Sequence, residues 1–432
     1  MADDLVRRAV ETQCAGCLDE AAEQYRAALT QVPDHAAAHH FLGILLYQQG
    51  KTDDALSHIE RSIAAQPGRA DWHNDYGNLL AALGHREAAV SAFFTAVELD
   101  PQLAIAWNNL GAMLMQQTLV AEAEQCFANA VYLDSGFEDA LNNLGQAQTQ
   151  LGRPLDAARS FCSAFVARPS PEKSPQALGT AYYVLGRIEE AAQIYSSWLQ
   201  DDPGHPVATH MLAACTGKDV PERASDAYLE TVFDQAAGQF DSKMTGTLSY
   251  HIPQLIGEVV DDIAGPTGAM SILDAGCGTG LCGQYLARHA RHLLGVDLSG
   301  KSLALAEEKK RYQKLVKQEI VEFLTHTDTS FDLAVSADTY NYFGSLRPLL
   351  RALSSRLLPG GWLIATTESR DEVKTGYAIT PSGRYCHSRD YLQTCYREAG
   401  FDMVEIRPVQ IRVELEAPVS GVLLVARKRA AP

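Results

Sequence analysis

Small and helix-ending residues recur every 34 residues through the first half of the chain. Alanine returns at positions 21, 55, 89, 123, 157 and 191, and glycine returns at 43, 77, 111, 145 and 179. A period of this length with small residues at fixed offsets is typical of stacked helix–turn–helix units, because small side chains let two antiparallel helices approach closely. The pattern therefore predicts an all-α solenoid of six repeats over residues 2–205, with a capping helix at 206–215.

A different pattern begins near residue 221, where short apolar runs alternate with helical patterns. This alternation is typical of a parallel sheet packed between helices. The run 271–274 leads into the glycine-rich stretch 275–280, and the run 293–296 ends at Asp297. Glycines let the backbone approach a ligand closely, and the free N–H groups of a following helix favour an anionic group such as a carboxylate. An acid at position 297 can accept hydrogen bonds from both hydroxyls of a ribose.

Two families resemble parts of this sequence. The 34-residue unit resembles the tetratricopeptide repeat. Leu-Asp-x-Gly-x-Gly-x-Gly at 273–280, followed by Gly-Val-Asp-Leu-Ser at 295–299, resembles the class I S-adenosylmethionine-dependent methyltransferases. The segments 233–255 and 383–401 are similar to bacterial methyltransferases fused to tetratricopeptide repeats. The glycines at 278–283 also fit a dinucleotide-binding pattern, but a helical region before the first strand and two late strands favour the methyl donor.

The resemblance implies a chain of the α + α/β class. Residues 1–215 would form the tetratricopeptide solenoid, and residues 216–268 a linker with the first helices of the methyltransferase. Residues 269–432 would form a Rossmann-like, seven-stranded class I methyltransferase core.

The resemblance also implies that S-adenosyl-L-methionine is the cofactor and locates its site. Asp274 would lie near the methionine moiety, Asp297 at the ribose, and Glu319 and Ile320 at the adenine. The full set of residues expected to bind the cofactor is Asp274, Gly276, Gly278, Gly280, Asp297, Leu298, Glu319, Ile320, Ala337, Asp338 and Tyr250.

Methyl transfer is an in-line displacement, so an enzyme mainly has to position the nucleophile and exclude water. A base is needed only if the nucleophile must lose a proton. His387 is the leading candidate, because an ordinary histidine pKa of about 6.5 suits proton acceptance at neutral pH. Alternatively, His387 binds a loop carbonyl or a substrate hydroxyl. Tyr340 is expected either to wall the substrate pocket or to pack in the core.

The sequence also limits the substrate class. Asp-Thr-Tyr-Asn at 338–341 differs from the Asn/Asp-Pro-Pro-Tyr of enzymes that methylate amide or nucleobase nitrogens. No paired-glutamate loop of arginine methyltransferases is visible in the sequence. Carboxylate, hydroxyl and amine acceptors all stay open.

Three asparagines give the solenoid a candidate binding groove. Asn74, Asn108 and Asn142 lie one repeat apart on the first helix of their units. Because an amide both donates and accepts hydrogen bonds, such a ladder can bind an extended peptide backbone. The arrangement resembles the asparagine ladder of O-linked N-acetylglucosamine transferases. The alternative is that these amides are ordinary repeat consensus and bond neighbouring helices.

Composition and charge exclude several classes of partner. A formal net charge of −17 argues against nucleic-acid or anionic-membrane binding, because phosphate binding requires clustered lysine and arginine. No apolar run approaches the roughly 20 residues that span a bilayer, and the acidic N-terminus lacks a signal-peptide core. We therefore expect a soluble, cytoplasmic protein. Its nine scattered cysteines predict neither a disulfide framework nor a metal site.

The leading functional hypothesis is a methyltransferase whose solenoid recruits a protein substrate or partner into its groove. A second hypothesis is a small-molecule carboxyl or hydroxyl methyltransferase that uses the repeats for docking or homo-oligomerisation. A third is a binding protein that holds the methyl donor without turnover, since fold alone does not establish function.

Overall fold

The computed structural model describes the chain except residues 169, 171, 265–267, 371, 374–375 and 431–432, together with the side chains of Thr245 and Thr247. The chain divides into two compact units, Met1–Glu172 and Lys173–Pro432. The boundary between them lies one predicted repeat before the expected end of the solenoid.

The first unit consists of consecutive helix pairs, whose first helices begin at residues 2, 36, 70, 104 and 138. The helices are α1 (Ala2–Cys14), α2 (Leu18–Gln31), α3 (Ala36–Gln48), α4 (Thr52–Ala65), α5 (Ala70–Ala82), α6 (Arg86–Leu99), α7 (Ala104–Gln116), α8 (Val120–Leu133), α9 (Glu138–Gln150) and α10 (Pro154–Ala167). Close packing explains the repeated glycine: a Cβ on Gly111 would lie 2.7 Å from Cε1 of Phe127 in the partner helix. The 34-residue period is therefore the packing period of these helix pairs.

The second unit begins with helices that continue the repeat pattern and pack with the rest of that unit. These are α11 (Pro175–Val184), α12 (Ile188–Asp201) and α13 (Pro206–Thr216), followed by α14 (Asp226–Ser242), a π-helix (Lys243–Thr247) and α15 (Ile252–Ile263). Val207 of α13 lies in one apolar cluster with Ala224, Tyr228 and Leu229. The last predicted repeat is therefore built into the same compact unit as the sheet.

A seven-stranded sheet in the order β3-β2-β1-β4-β5-β9-β8 forms the centre of the second unit. Its strands are β1 (Met270–Ala275), β2 (Ala290–Asp297), β3 (Lys314–Lys317), β4 (Phe331–Ser336), β5 (Leu357–Glu368), β8 (Phe401–Glu414) and β9 (Ala417–Lys428). Strands β1 to β5 are parallel, and β9 runs antiparallel to both β5 and β8. A separate two-stranded ribbon pairs β6 (Tyr377–Ile379) with β7 (Tyr385–His387).

Helices cover both faces of this sheet, because successive residues of a strand point to opposite sides. Leu273 packs in a cluster with Phe323 and Leu353, whereas Ile272 packs in another with Ile256 and Leu286. The covering helices after β1 are α16 (Gly283–Leu286), α17 (Gly300–Glu308), α18 (Ile320–His326), α19 (Arg347–Arg356) and α20 (Arg389–Glu398).

The predicted fold class, a helical solenoid followed by a Rossmann-like seven-stranded domain, is confirmed. The carboxyl ends of the parallel strands share one edge of the sheet, where ligands bind in open α/β folds. Within the described part of the chain, no helix is both long enough and apolar enough to span a bilayer.

Candidate active site

A cavity opens at the carboxyl edge of the parallel strands, around the loop that follows β1. Every residue predicted to bind the cofactor lines this cavity, except Gly280. The cavity is also lined by Tyr342 and by side chains to which the sequence analysis gave no role in a site, including Phe233, Phe240 and Arg384.

The glycine-rich loop takes a shape that requires glycine. Gly276, Gly278 and Gly280 have φ values of 81°, 51° and 83°, in the left-handed region that strains other residues. A Cβ on Gly276 would lie 2.1 Å from the hydroxyl oxygen of Thr339, so the loop contacts the end of β4 directly. The N–H groups of Gly276 and Cys277 both donate to the carbonyl of Val296 on β2. The loop is therefore held between the ends of β2 and β4.

Asp297, at the end of β2, links two backbone segments at the cavity. One carboxylate oxygen accepts from the N–H of Gly278 at 2.9 Å, and the other accepts from the N–H of Ser299 at 2.9 Å. Burial raises the pKa of Asp297, while these backbone donors oppose the change. Because each carboxylate oxygen can accept more than one hydrogen bond, Asp297 keeps capacity for two ligand hydroxyls.

Asp274, the last acid of β1, is buried beside the loop. Its Oδ2 accepts a hydrogen bond from the hydroxyl of Tyr312 at 2.6 Å. Burial raises the pKa of Asp274 to about 7, with Tyr312 opposing the shift and Asp297 adding to it. A nearby cationic ligand would favour the ionised form of this carboxyl.

Glu319 leaves one acceptor unused at the far side of the cavity. Its Oε2 caps α18 by accepting from the N–H of Glu322 at 2.8 Å, whereas its buried Oε1 has no partner. An unsatisfied buried acceptor costs free energy that a ligand donor can recover. Glu319 therefore fits an amino group of a bound molecule.

Two acids of α14 attach that helix to the loop and to α17. Asp234 accepts from the hydroxyl of Ser299, the N-cap of α17, at 2.6 Å. Asp241 accepts from the hydroxyl of Thr279 and from Nζ of Lys309. These contacts give a physical role to the acids in the segment 233–255 and place their neighbours Phe233 and Phe240 against the cavity.

Three arginines line the cavity away from the acids of the loop: Arg223, Arg384 and Arg412. Arg412 on β8 is 2% exposed and pairs with Asp338 at 3.4 Å, with Glu414 at 3.2 Å and with Glu368. Arg384 pairs with Glu414 at 2.7 Å. Sequence reasoning missed all three, although Arg384 lies in the segment 383–401 that it singled out.

Asp338, directly after β4, has a strained backbone. Its φ is 59°, which is uncommon for a residue other than glycine and is often found at functional sites. Its carboxylate accepts from the amide of Asn341 and from Arg412. Burial raises the pKa of Asp338, and Arg412 opposes the shift.

Family models match both halves of the chain. A methyltransferase-domain model matches residues 273–365, and tetratricopeptide-repeat models match residues 15–70, 143–206 and 46–114. The chain combines tetratricopeptide repeats with a methyltransferase domain. The predicted family resemblance is therefore confirmed.

Individual relatives are distant. The chain is 23% identical to the ubiquinone biosynthesis O-methyltransferase of Leptothrix cholodnii, over 39% of this chain and 82% of the relative. It is 28% identical to the malonyl-[acyl-carrier protein] O-methyltransferase of Erwinia pyrifoliae, over 37% of this chain and 59% of the relative. Among solved structures, MamA is 20% identical with a TM-score of 0.35, over 37% of this chain and 93% of MamA.

The two predicted catalytic residues lie outside the lining of the methyltransferase cavity. His387 is fully buried, and its Nε2–H donates to the carbonyl of Phe343 at 2.8 Å while its Nδ1 contacts the hydroxyl of Thr367 at 3.0 Å. Burial lowers the pKa of His387 to about 4. The hydroxyl of Tyr340 shares a hydrogen bond with that of Tyr396 in the core. These surroundings match the alternatives of a loop-carbonyl partner and a core residue, and the catalytic roles stay predictions.

In the repeats, the asparagines bond one another between neighbouring units. The amide of Asn109 donates to Oδ1 of Asn74 at 3.0 Å, and that of Asn143 donates to Oδ1 of Asn108 at 2.9 Å. Asn74 and Asn108 are buried, and Asn142 is half-buried. Peptide binding by this ladder stays a prediction. Across the described residues, no group of three or more His, Cys, Asp or Glu is placed to hold a metal ion.

Proposed function

We propose that this protein is an S-adenosyl-L-methionine-dependent methyltransferase whose tetratricopeptide solenoid recruits a protein substrate or partner. One observation carries the donor assignment. A single cavity collects the left-handed glycine loop, the carboxylate of Asp297 and the unpartnered acceptor of Glu319. These groups fit an adenosine, with Glu319 toward the adenine amine and Asp297 toward the ribose hydroxyls.

The charge at this end of the cavity supports the same cofactor. Asp274, Asp297 and Glu319 line it around the loop, so three carboxyl groups meet a ligand that carries a sulfonium and an ammonium. Asp274, Ala337 and Asp338 would hold the methionine portion. When bound, the donor supplies an electrophilic methyl group.

Other residues that line the cavity position the acceptor and exclude water. Phe233, Phe240 and Met244, from α14 and the π-helix, line the cavity with apolar surface. Excluding water strengthens the electrostatic interactions inside a site. A carboxylate acceptor would need no base, which is consistent with the position of His387 outside the lining.

The solenoid is assigned a recruiting role because repeats of this kind present an extended groove for other chains. A second candidate function is methylation of a small molecule at a carboxyl or hydroxyl group, with the repeats used for docking or oligomerisation. The two relatives favour this candidate, since both are O-methyltransferases. The third possibility is a scaffold that binds the donor without turnover. A measurement of methyl transfer separates this possibility from the other two.

Donor binding is tested by an exchange at Glu319 that keeps the size of the side chain and removes its charge. Glu319→Gln keeps one oxygen to cap α18 but removes the second acceptor from the cavity. We expect the affinity for S-adenosylhomocysteine, measured by isothermal titration calorimetry, to fall at least tenfold, because a hydrogen bond to a charged group contributes about 1.5–3 kcal/mol. Glu322→Gln, an exposed change on the same helix, is the matched control. Unchanged affinity in Glu319→Gln would refute the adenine assignment.

The acceptor class is tested with labelled S-adenosylmethionine in a desalted bacterial lysate. Label in a discrete protein band supports recruitment of a protein substrate. Label only in the soluble small-molecule fraction supports the second candidate. An Asp297→Ala variant runs beside the wild type, and label that persists in this variant does not come from the proposed site.

A further inference from the structure

The charged groups that line the cavity are separated by sign along the sheet edge. Asp274 and Asp297 lie at the ends of β1 and β2, and Glu319 follows β3. Beyond β4 the lining changes to Arg223, Arg384 and Arg412. At this second end, Asp338 is the carboxylate among the described lining residues, so the lining itself holds three arginines and one carboxylate.

Two of the carboxylates that pair with these arginines lie away from the cavity lining, whereas Asp338, which pairs with Arg412, lies in it. Glu368 and Glu414, which pair with Arg384 and Arg412, are not among the lining residues. This end of the cavity is therefore lined by guanidinium groups and Asp338, and two further carboxylates lie behind the lining. Arg223 pairs with Asp226, a half-exposed residue at the start of α14. Burying arginine costs free energy unless it is well paired, so this backing stabilises cations that face a ligand.

Side chains around Arg384 and the buried Arg412 complete a donor site for an anion. A guanidinium presents several N–H donors in a planar fork that matches a carboxylate. Tyr342 lines the same region, and burial raises its pKa, which keeps its hydroxyl protonated and able to donate. Tyr250 and Phe343 add aromatic surface. The region suits a molecule with an apolar body and a carboxylate.

The last repeat and the capping helix α13 hold this region in place from within the same compact unit. The hydroxyl of Tyr183 on α11 donates to Glu414 at 3.4 Å. The Nε2–H of His210 on α13 donates to the carbonyl of Gly383 at 2.8 Å, directly before Arg384. Gly383 has a φ of 81°, and a Cβ there would lie 2.8 Å from the hydroxyl of Tyr228. The backbone at Arg384 is thus fixed on two sides.

We propose that Arg384 and Arg412 bind a carboxylate group of the methyl acceptor. The proposal rests on the proposed function, since it takes the acid-lined end as the donor site. The donor also carries a carboxylate. However, Arg384 pairs with Glu414 at the end of β8, and β4, β5 and β9 lie between β1 and β8 in the sheet order. That position assigns Arg384, which shares Glu414 with Arg412, to the acceptor.

The test compares carboxylic acids with their neutral amides. The full chain is titrated with benzoate and benzamide, 2-naphthoate and 2-naphthamide, and octanoate and octanamide, each with and without S-adenosylhomocysteine. We expect at least one acid to bind at least tenfold more tightly than its amide. Arg384→Gln should reduce that preference at least fivefold and leave the affinity for S-adenosylhomocysteine within threefold.

Two further variants control for charge and folding. Arg384→Lys keeps the charge without the fork and should retain part of the preference. Arg187→Gln removes an arginine of an exposed ion pair on α12 and should leave the preference unchanged. In Arg384→Gln, Glu414 still pairs with Arg412, so no carboxylate is left without a cation.

Three results would overturn the proposal. The first is equal binding of acid and amide in every pair. The second is an acid preference that survives in Arg384→Gln. The third is a loss of S-adenosylhomocysteine affinity in that variant with the acid preference intact, which would assign Arg384 to the donor. A wild type that fails to bind S-adenosylhomocysteine would refute the proposed function. The titrations performed without S-adenosylhomocysteine would still show whether the arginine pair binds a carboxylate.

Discussion

Replacing Arg412 with methionine removes one cation that three carboxylates share. Asp338 keeps its hydrogen bond from Asn341, and Glu414 keeps its ion pair with Arg384. Glu368, only 3% exposed, loses its partner ion. Breaking a buried ion pair from one side costs about 3–5 kcal/mol, because it leaves a buried charge uncompensated. For a unit of this size that loss corresponds to a fall in Tm of roughly 6–20 °C.

The assay must report on the second unit alone. The chain has four tryptophans, of which Trp198 and Trp362 lie in the second unit. In a background with Trp72→Phe and Trp107→Phe, tryptophan fluorescence during urea unfolding therefore follows that unit. Arg347→Met is the matched control, because Arg347 forms an exposed pair with Glu398. Exposed pairs contribute about 0–1 kcal/mol.

A double variant separates loss of charge balance from loss of packing. Arg412→Met with Glu368→Gln removes both charges, so we expect it to recover at least half of the free energy of unfolding lost in the single variant. A single variant that loses less than about 1 kcal/mol would refute the claim that this pair is buried and coupled. A double variant no more stable than the single would refute the electrostatic cause.

Two further predictions concern pH and the boundary of the second unit. The pKa of Asp274 is raised to about 7 in the folded state, so the folded state binds its proton more tightly and this stabilisation is lost as pH rises from about 4 through about 7. Asp274→Asn lacks this dependence. Between pH 5 and pH 8, the free energy of unfolding of the wild type should therefore fall relative to that of the variant. Parallel curves of this free energy against pH would contradict the raised pKa of Asp274. Deleting residues 1–172 should leave a second unit that is folded by circular dichroism. Deleting residues 1–216 also removes α11 to α13, including the contacts of α13 with the cluster around Tyr228, and should lower the Tm of the second unit by several degrees. Equal Tm values for the two deletions would show that these helices do not stabilise the second unit.

Local features of the chain were predictable from the sequence. The 34-residue period reflects contacts within one helix pair, such as that of Gly111 with Phe127, so both partners lie in the same repeat. The glycine loop and Asp297 are likewise short-range features, because left-handed backbone torsions and the end of a strand depend on a few neighbouring residues. The fold class and the domain families followed from these signals.

The basic end of the cavity was decided by the tertiary structure. Arg223 precedes α14, Arg384 precedes β7, and Arg412 lies on β8, so only the sheet order brings them to one cavity. The burial of His387 was also decided by the tertiary structure. The resemblance of the segment 383–401 to a family motif did not indicate that this side chain bonds the carbonyl of Phe343. The 34-residue period also continues into the last repeat, although its helices α11 and α12 belong to the second unit. Sequence periodicity determined which helices form, while long-range packing decided which unit they stabilise and which side chains meet a ligand.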